Sequence, residues 1–434
     1  MRKEWLLRGI AALGSVGLLI PLAACGSSSA SGDKVELTMM ESLTTPVRTV
    51  LLKKLIKQFE AKNPDITVDL VSPPTDSADQ TIRQTLQSGE GIDVLEVRDT
   101  TVGGFSTNGW LTDMSSSLEK WDGWDNLTTN AQNSAKNSAG KIWYLPYGFY
   151  GLSLYYRTDL IKQAGFSNPP TTWSELLHQA SAIQDTSAKR YGYAFRGGSN
   201  ADSNVVAAIE AYVAKDLDTT NAFKLKSGKT IFSSSEAQKA VDTYFKLYKQ
   251  ASPPSSSSWG YPEMVQGFSN GSTAFLLQDP EVIATLAKST SIKESQWDTA
   301  PLLKGPSGIA VQPVATAGWG IAKSSQHQAA ALKLVEFLGS DSPATTFAKQ
   351  NNLVPIVKSA LTSDYYKTGK WKAYATMQGD PEHYLNVTQP REVSWWNDWV
   401  QKSDSQIQEV LLGKLTTKQL LSSWDQYWTQ KWKA

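Results

Sequence analysis

The sequence predicts an α/β fold built on a largely parallel sheet, and three observations carry that prediction. Strand and helix signals alternate over residues 35–97, the helical stretches carry apolar faces at helical spacing, and 434 residues with a 40% hydrophobic fraction suffice for two or three domains. Residues 35–40 read as a strand, and Thr45-Pro46 then supplies an N-cap with proline at the first helical position. In the helix that follows, Leu52, Leu55, Ile56 and Phe59 fall at i, i+3, i+4 and i+7, and Asn63-Pro64 ends it. Ile66, Val68 and Leu70 alternate as a second strand, Ile82 and Leu86 mark a short helix closing near Gly89, and residues 93–97 form a third strand. In such β-α-β-α-β layers ligands bind outside the carboxyl ends of the strands, which gives weight to Glu41, Ser42, Asp99 and Thr100.

Further along, helices are signalled by Ala237, Val241, Tyr244, Phe245 and Tyr248, by Ala330, Leu334 and Phe337, and by the Trp-rich C-terminal stretch. Strands are expected at residues 142–145, 152–156, 191–195, 273–277 and 318–322, and residues 253–258 (PPSSSS) read as a surface loop. No internal repeat is present.

Composition narrows the function. Lys and Arg total 42 against 41 Asp and Glu, which argues against a nucleic-acid partner. One cysteine and three histidines exclude structural disulfides and a Cys/His zinc cluster. The 16 tryptophans are far above ordinary usage, and flat indole faces suit sugar rings as well as core packing.

Arg2, Lys3 and Arg8 precede an apolar stretch from Gly9 to Ile20, too short for a free membrane span but fitting a secretory signal. Leu22-Ala23-Ala24-Cys25-Gly26 resembles the bacterial lipobox, whose cysteine receives a lipid. Residues 1–24 are therefore expected to be a signal peptide, and residues 25–33 a lipidated Cys25 with a flexible Ser/Gly tether. Their removal takes away three cations and one anion, moving the net charge from +1 to −1.

Ser227-Gly228-Lys229-Thr230 imitates the end of a phosphate loop, but Phe223 stands where that loop needs glycine. Asp216, Asp218 and Asn221 lack calcium-loop spacing, and His178, His327 and His383 have no partners at ligand spacing. Two longer stretches are more specific. Residues 140–160 (GKIWYLPYGFYGLSLYYRTDL), continued by residues 161–166 (IKQAGF), Pro169-Pro170-Thr171-Thr172-Trp173 and Glu175-Leu176, resemble the segment that crosses between the lobes of family 1 extracellular solute-binding proteins. Gly305-Pro306, residues 318–325 (GWGIAKSS) and the helix to Phe337-Leu338 resemble that family's return into its first lobe. Asp99 through Gly103-Gly104-Phe105 to Gly109-Trp110-Leu111, and residues 268–275 (FSNGSTAF), agree in the same order.

The resemblance, to carbohydrate-binding lipoproteins of ABC importers similar to the maltose/maltodextrin-binding proteins, implies a two-lobed type II clamp. Each lobe would be a mixed, mostly parallel sheet flanked by helices, with a helical C-terminus. The first lobe is expected at 34–150 plus 303–345, and the second at 151–302 plus 346–434. It further implies capture of a di- or oligosaccharide, delivery to permease subunits, no catalysis, no cofactor, no metal, a monomer, and a site on the outer face of the cell membrane or in the periplasm. Carried over by position, the ligand-binding residues are Glu41, Asp99, Tyr150 and Trp319 from the first lobe and Arg196, Asp279, Glu281, Arg391, Trp395 and Trp396 from the second. Gln278-Asp279-Pro280-Glu281 departs from the Gly and Trp of many relatives, so a polar contact replaces a stacking one there. Glu41, Asp99 and Asp279 are also compatible with helix caps, Arg196 and Arg391 with ion pairs, and one of Trp395 and Trp396 with the core. Carboxylates with aromatics equally describe a secreted glycoside hydrolase, and the same clamp could carry a polyamine or peptide.

Overall fold

The computed structural model describes residues 34–137, 139–313 and 315–433, so the signal segment, Cys25 and the tether lie outside the described residues. Two sheets organise the chain. The first has the order β2-β1-β3-β10-β4, formed by β1 (Val35–Met40), β2 (Ile66–Val71), β3 (Val94–Arg98), β4 (Leu145–Phe149) and β10 (Thr316–Ile321). The second has the order β6-β7-β5-β8, formed by β5 (Ser153–Arg157), β6 (Tyr191–Tyr193), β7 (Thr273–Gln278) and β8 (Trp297–Ala300). A parallel pair, β9 (Ala310–Pro313) with β11 (Tyr384–Val387), stands apart.

The opening β-α-β-α-β segment is as expected. Thr45 caps the helix Pro46–Lys62 by accepting from the Arg48 amide, and Leu52, Leu55, Ile56 and Phe59 are buried. The helix Thr75–Ser88 ends on Gly89 at φ 77°, a left-handed position that glycine adopts without strain. Parallel pairing is less dominant than expected. β1 pairs in parallel with β2 and β3, but β10 runs antiparallel to both β3 and β4, and β5 is antiparallel to both β7 and β8. The cause is connectivity: β10 re-enters the first sheet from the second, so it arrives in the opposite direction. The strand expected at 142–145 sits instead at Leu145–Phe149, because the sheet accepts Pro146 at a bulge opposite Ala317 and Gly318. Residues 254–258 form a short 3-10 helix with Ser256 buried and bonded to the Pro253 carbonyl at 2.6 Å, so the stretch is not simply a surface loop.

The chain passes between the sheets at residues 150–152, between Pro313 and Thr316, and after Val357. The return expected at 303 comes later, because Lys304 bridges Thr172 and β9 packs on the helix Asp202–Val213 of the second sheet. The exit expected at 345 falls inside the helix Asp341–Asn351, which packs on Pro46–Lys62 and β4, while Val354 still bridges Phe149. Asp202–Val213 is buried nearly all round, so it carries no amphipathic stripe for a periodicity argument to detect. The C-terminal helices Trp396–Leu411 and Thr417–Lys431 close the second lobe through an aromatic cluster. Phe223 lies 4.5 Å from Trp428, and Trp399 lies 5.1 Å from Trp424 and 5.3 Å from Trp428. Much of the tryptophan excess is spent there on packing.

Candidate functional site

Polar side chains gather where the carboxyl ends of β1 and β3 face the second sheet. On the first wall, Glu96 binds Arg48 at 2.6 Å and accepts from the Tyr147 hydroxyl at 2.5 Å on the same oxygen. Its other oxygen accepts the amides of Ser42 at 2.6 Å and Leu43 at 3.0 Å. Burial alone would raise the Glu96 carboxyl, but Arg48, Tyr147 and the two amides hold it below the usual range. The Tyr147 hydroxyl stands 3.2 Å from that of Tyr150 on the first crossing. Glu41 is fully buried; its Oε1 accepts from Thr49 at 2.5 Å and Ser72 at 2.7 Å, while its Oε2 lies 3.9 Å from Arg48 without a hydrogen bond.

The second wall begins after β7 and β6. Asp279 accepts the Glu281 amide at 3.0 Å, which makes it a local cap, and the Tyr261 hydroxyl at 3.4 Å. Arg196 donates to the Ser199 carbonyl at 2.9 Å and lies in the field of Asp202, Asp404 and Asp279. Burial raises Asp279, and burial with the neighbouring Asp279 charge raises Glu281. The Arg48 charge on the first wall also acts on Glu281, and Tyr150 lies in the fields of both.

A third group joins the walls directly. Arg391 donates to Gln389 Oε1 at 3.0 and 2.9 Å, and to Asp99 on the first wall at 3.2 Å. Its guanidinium lies 5.8 Å from the Trp396 ring. Gln389 in turn donates to the buried Glu210 at 2.8 Å. Burial pushes Glu210 from 4.5 up to about 8. Because the folded pKa exceeds the unfolded one, the native chain holds this proton more tightly, and the stability it confers is lost as pH rises from 4.5 to about 8. A Glu210→Gln chain is therefore expected to gain on its parent by a few kcal/mol across that window, at about 1.4 kcal/mol per unit, in urea unfolding followed against pH. Parallel pH profiles would contradict this.

Beside the Asp99–Arg391 pair runs a groove with a cavity volume of about 780 Å³, lined among others by Trp143, Tyr144, Asn221 and Glu392. That volume lies within the range of about 300–1,000 Å³ usual for small-molecule sites. Of the residues expected at the site, Asp99 and Arg391 pair across the walls and line the groove, Tyr150 stands on the first wall beside Tyr147, and Arg196, Asp279 and Glu281 stand on the second. Trp319 does not: it is 1% exposed, packed against Tyr147 at 5.4 Å and Phe347 at 6.2 Å within the first lobe's core. Trp396 is buried against Phe223, and the half-buried Trp395 is stacked on Trp428 at 4.7 Å with Lys431 over its ring, so neither offers an open platform. Sequence reasoning did not name Arg48, Glu96, Tyr147, Glu210 or Gln389 as site residues, although Tyr147 lay within residues 140–160 and Gln389 two positions before the expected Arg391.

Residues 45–345 match the family described as bacterial extracellular solute-binding protein, which covers well over half of the chain. The chain belongs to this family. As a solute-binding protein it is 25% identical over 416 residues to a binding protein of Brucella abortus (strain 2308), covering 92% of this chain and 93% of that one. It is 24% identical to the maltodextrin-binding protein of Bacillus subtilis (strain 168), over 81% of both chains. A maltose-bound T. maritima protein shares its fold at a TM-score of 0.75 and 22% identity, covering 91% of this chain and 98% of that one. The two sheets of this solute-binding protein are thus the cores of a two-lobed clamp, and the polar assembly described above lies between them.

Proposed function

We propose that the chain captures a di- or oligosaccharide between its lobes and delivers it to the permease subunits of an ABC transporter. The observation that carries this reading is the meeting of two walls bearing Asp99 and Tyr150 on one side and Asp279, Glu281 and Arg391 on the other, next to a groove of about 780 Å³ with Trp143 and Tyr144 in its lining. Carboxylates and a guanidinium form charge-assisted bonds with hydroxyls, worth about 1.5–3 kcal/mol each, while the aromatic lining suits apolar sugar faces. A sugar that touches both walls favours the closed state, and closure is what a permease can read. Binding is reversible and involves no catalysis. The lipobox supports an exported protein held at the outer face of the membrane by a lipid on Cys25, where one tethered clamp suffices as a monomer.

The test is a thermal-shift panel on the full chain with maltose, maltotriose, mannitol, spermidine and a tripeptide, with chromatography for breakdown products. Saturation at 100 times the dissociation constant adds about 2.7 kcal/mol of stability. A shift with a saccharide recovered intact is expected. Stabilisation by spermidine or peptide alone, or cleavage of the saccharide, would overturn the reading.

A further inference from the structure

The geometry points to Gln389 as a positioning residue for Arg391, and to the chain Glu210–Gln389–Arg391–Asp99 as a latch that draws the two lobes together without ligand. The inference rests on the reading of the interlobe cleft as the binding site. Four features define it. Gln389 accepts two bonds from one guanidinium, at 3.0 and 2.9 Å, which fixes its plane and leaves Nη1 aimed at Asp99. Gln389 is itself held by the fully buried Glu210, so the anchor sits in the second lobe's core. The Asp99–Arg391 pair is about a fifth exposed on each side, which strengthens its attraction over that of a surface pair and still leaves it open to salt. Finally, the helix Val102–Thr107 approaches the same loop so closely that a Cβ on Gly103 would overlap the Glu392 carbonyl, so closure at this edge needs glycine.

Through the closed fraction, a latch of this kind changes affinity separately from the bonds that Asp99 and Arg391 make to a bound sugar. The apparent dissociation constant equals the intrinsic one divided by the closed fraction, so a latch that raises that fraction tightens binding for every ligand by one common factor. It also sets a limit on selectivity, because the common factor discriminates between no two sugars.

The experiment uses the ligand-free full chain with Cys25→Ser, Lys120→Cys and Lys246→Cys, spin-labelled at the two exposed positions on opposite lobes. Cross-cleft distances are read by pulsed dipolar spectroscopy at low and high salt. Asp99→Asn, Arg391→Gln and Gln389→Ala are each expected to move the distribution to longer distances, and 1 M salt to move the parent toward them while leaving the variants unchanged. Gly103→Ala is expected to lengthen the distance at both salt concentrations, because its effect is steric. A parental distribution in Asp99→Asn overturns the latch, and a parental distribution in Gln389→Ala overturns its positioning role. A circular-dichroism melt of each variant separates loss of the latch from loss of the fold. Since no sugar is present, failure here leaves the carbohydrate reading intact, and failure of that reading leaves these distances unexplained by ligand.

Discussion

Replacing Arg48 with methionine is expected to destabilise the fold by about 3–5 kcal/mol, read as a lower urea midpoint at unchanged slope. Arg48 is 3% exposed and Glu96 1%, and Arg48, at 2.6 Å, is the only cation within ion-pair distance of that carboxylate among the described residues. Removing the guanidinium leaves a charge in the core that two amides and one tyrosine hydroxyl stabilise incompletely. Arg48 also lies 4.8 Å over the rings of both Tyr147 and Phe347, so methionine keeps apolar contact but loses the cation–π attraction. The companion variant Arg48→Met with Glu96→Gln should recover much of the loss, because the neutral amide leaves no unpaired charge while its oxygen still accepts from the Ser42 and Leu43 amides. A single variant as stable as the parent would show that the carboxylate is protonated or hydrated, contrary to the account.

Trp319→Ala is expected to cost a further class of stability, about 3–5 kcal/mol, by emptying a packed site. Its indole fills the space between Tyr147 and Phe347 in the sheet that carries the first wall. Affinity for a saccharide should fall only to the extent that the fold is lost, so at temperatures well below unfolding the dissociation constant should stay within a factor of a few. A stable variant with greatly weakened binding would return Trp319 to the ligand.

That residue also shows where sequence reading reached its limit. The family resemblance, carried over by position, implies that Trp319, flanked by Gly318 and Gly320, faces the ligand. In the structure the glycines serve the sheet: a Cβ at Gly318 would overlap the Leu145 carbonyl, and one at Gly320 would lie 2.8 Å from Val97. The opening β-α-β-α-β segment was legible because caps and periodicity act over a few residues. Partnerships across the site were not: Arg48 and Glu96 are 48 residues apart, Glu210 and Gln389 179, and Asp99 and Arg391 292. Position after a strand singled out Glu41 and Asp99 alike, and it could not show that Asp99 pairs with Arg391 while one oxygen of Glu41 is taken by Thr49 and Ser72. The helix Asp202–Val213 stayed silent because burial on every side removes the polar face that reveals a helix.

The central claim is that a saccharide lies between the lobes and touches both. Hydrogen exchange of the full chain with and without saturating maltotriose, or whichever saccharide of the panel shifts its melting, tests this most directly. The account predicts slower exchange at once in residues 99–105 of the first lobe and in residues 279–283 and 389–393 of the second. Protection confined to one lobe, with the facing wall unchanged, would contradict it.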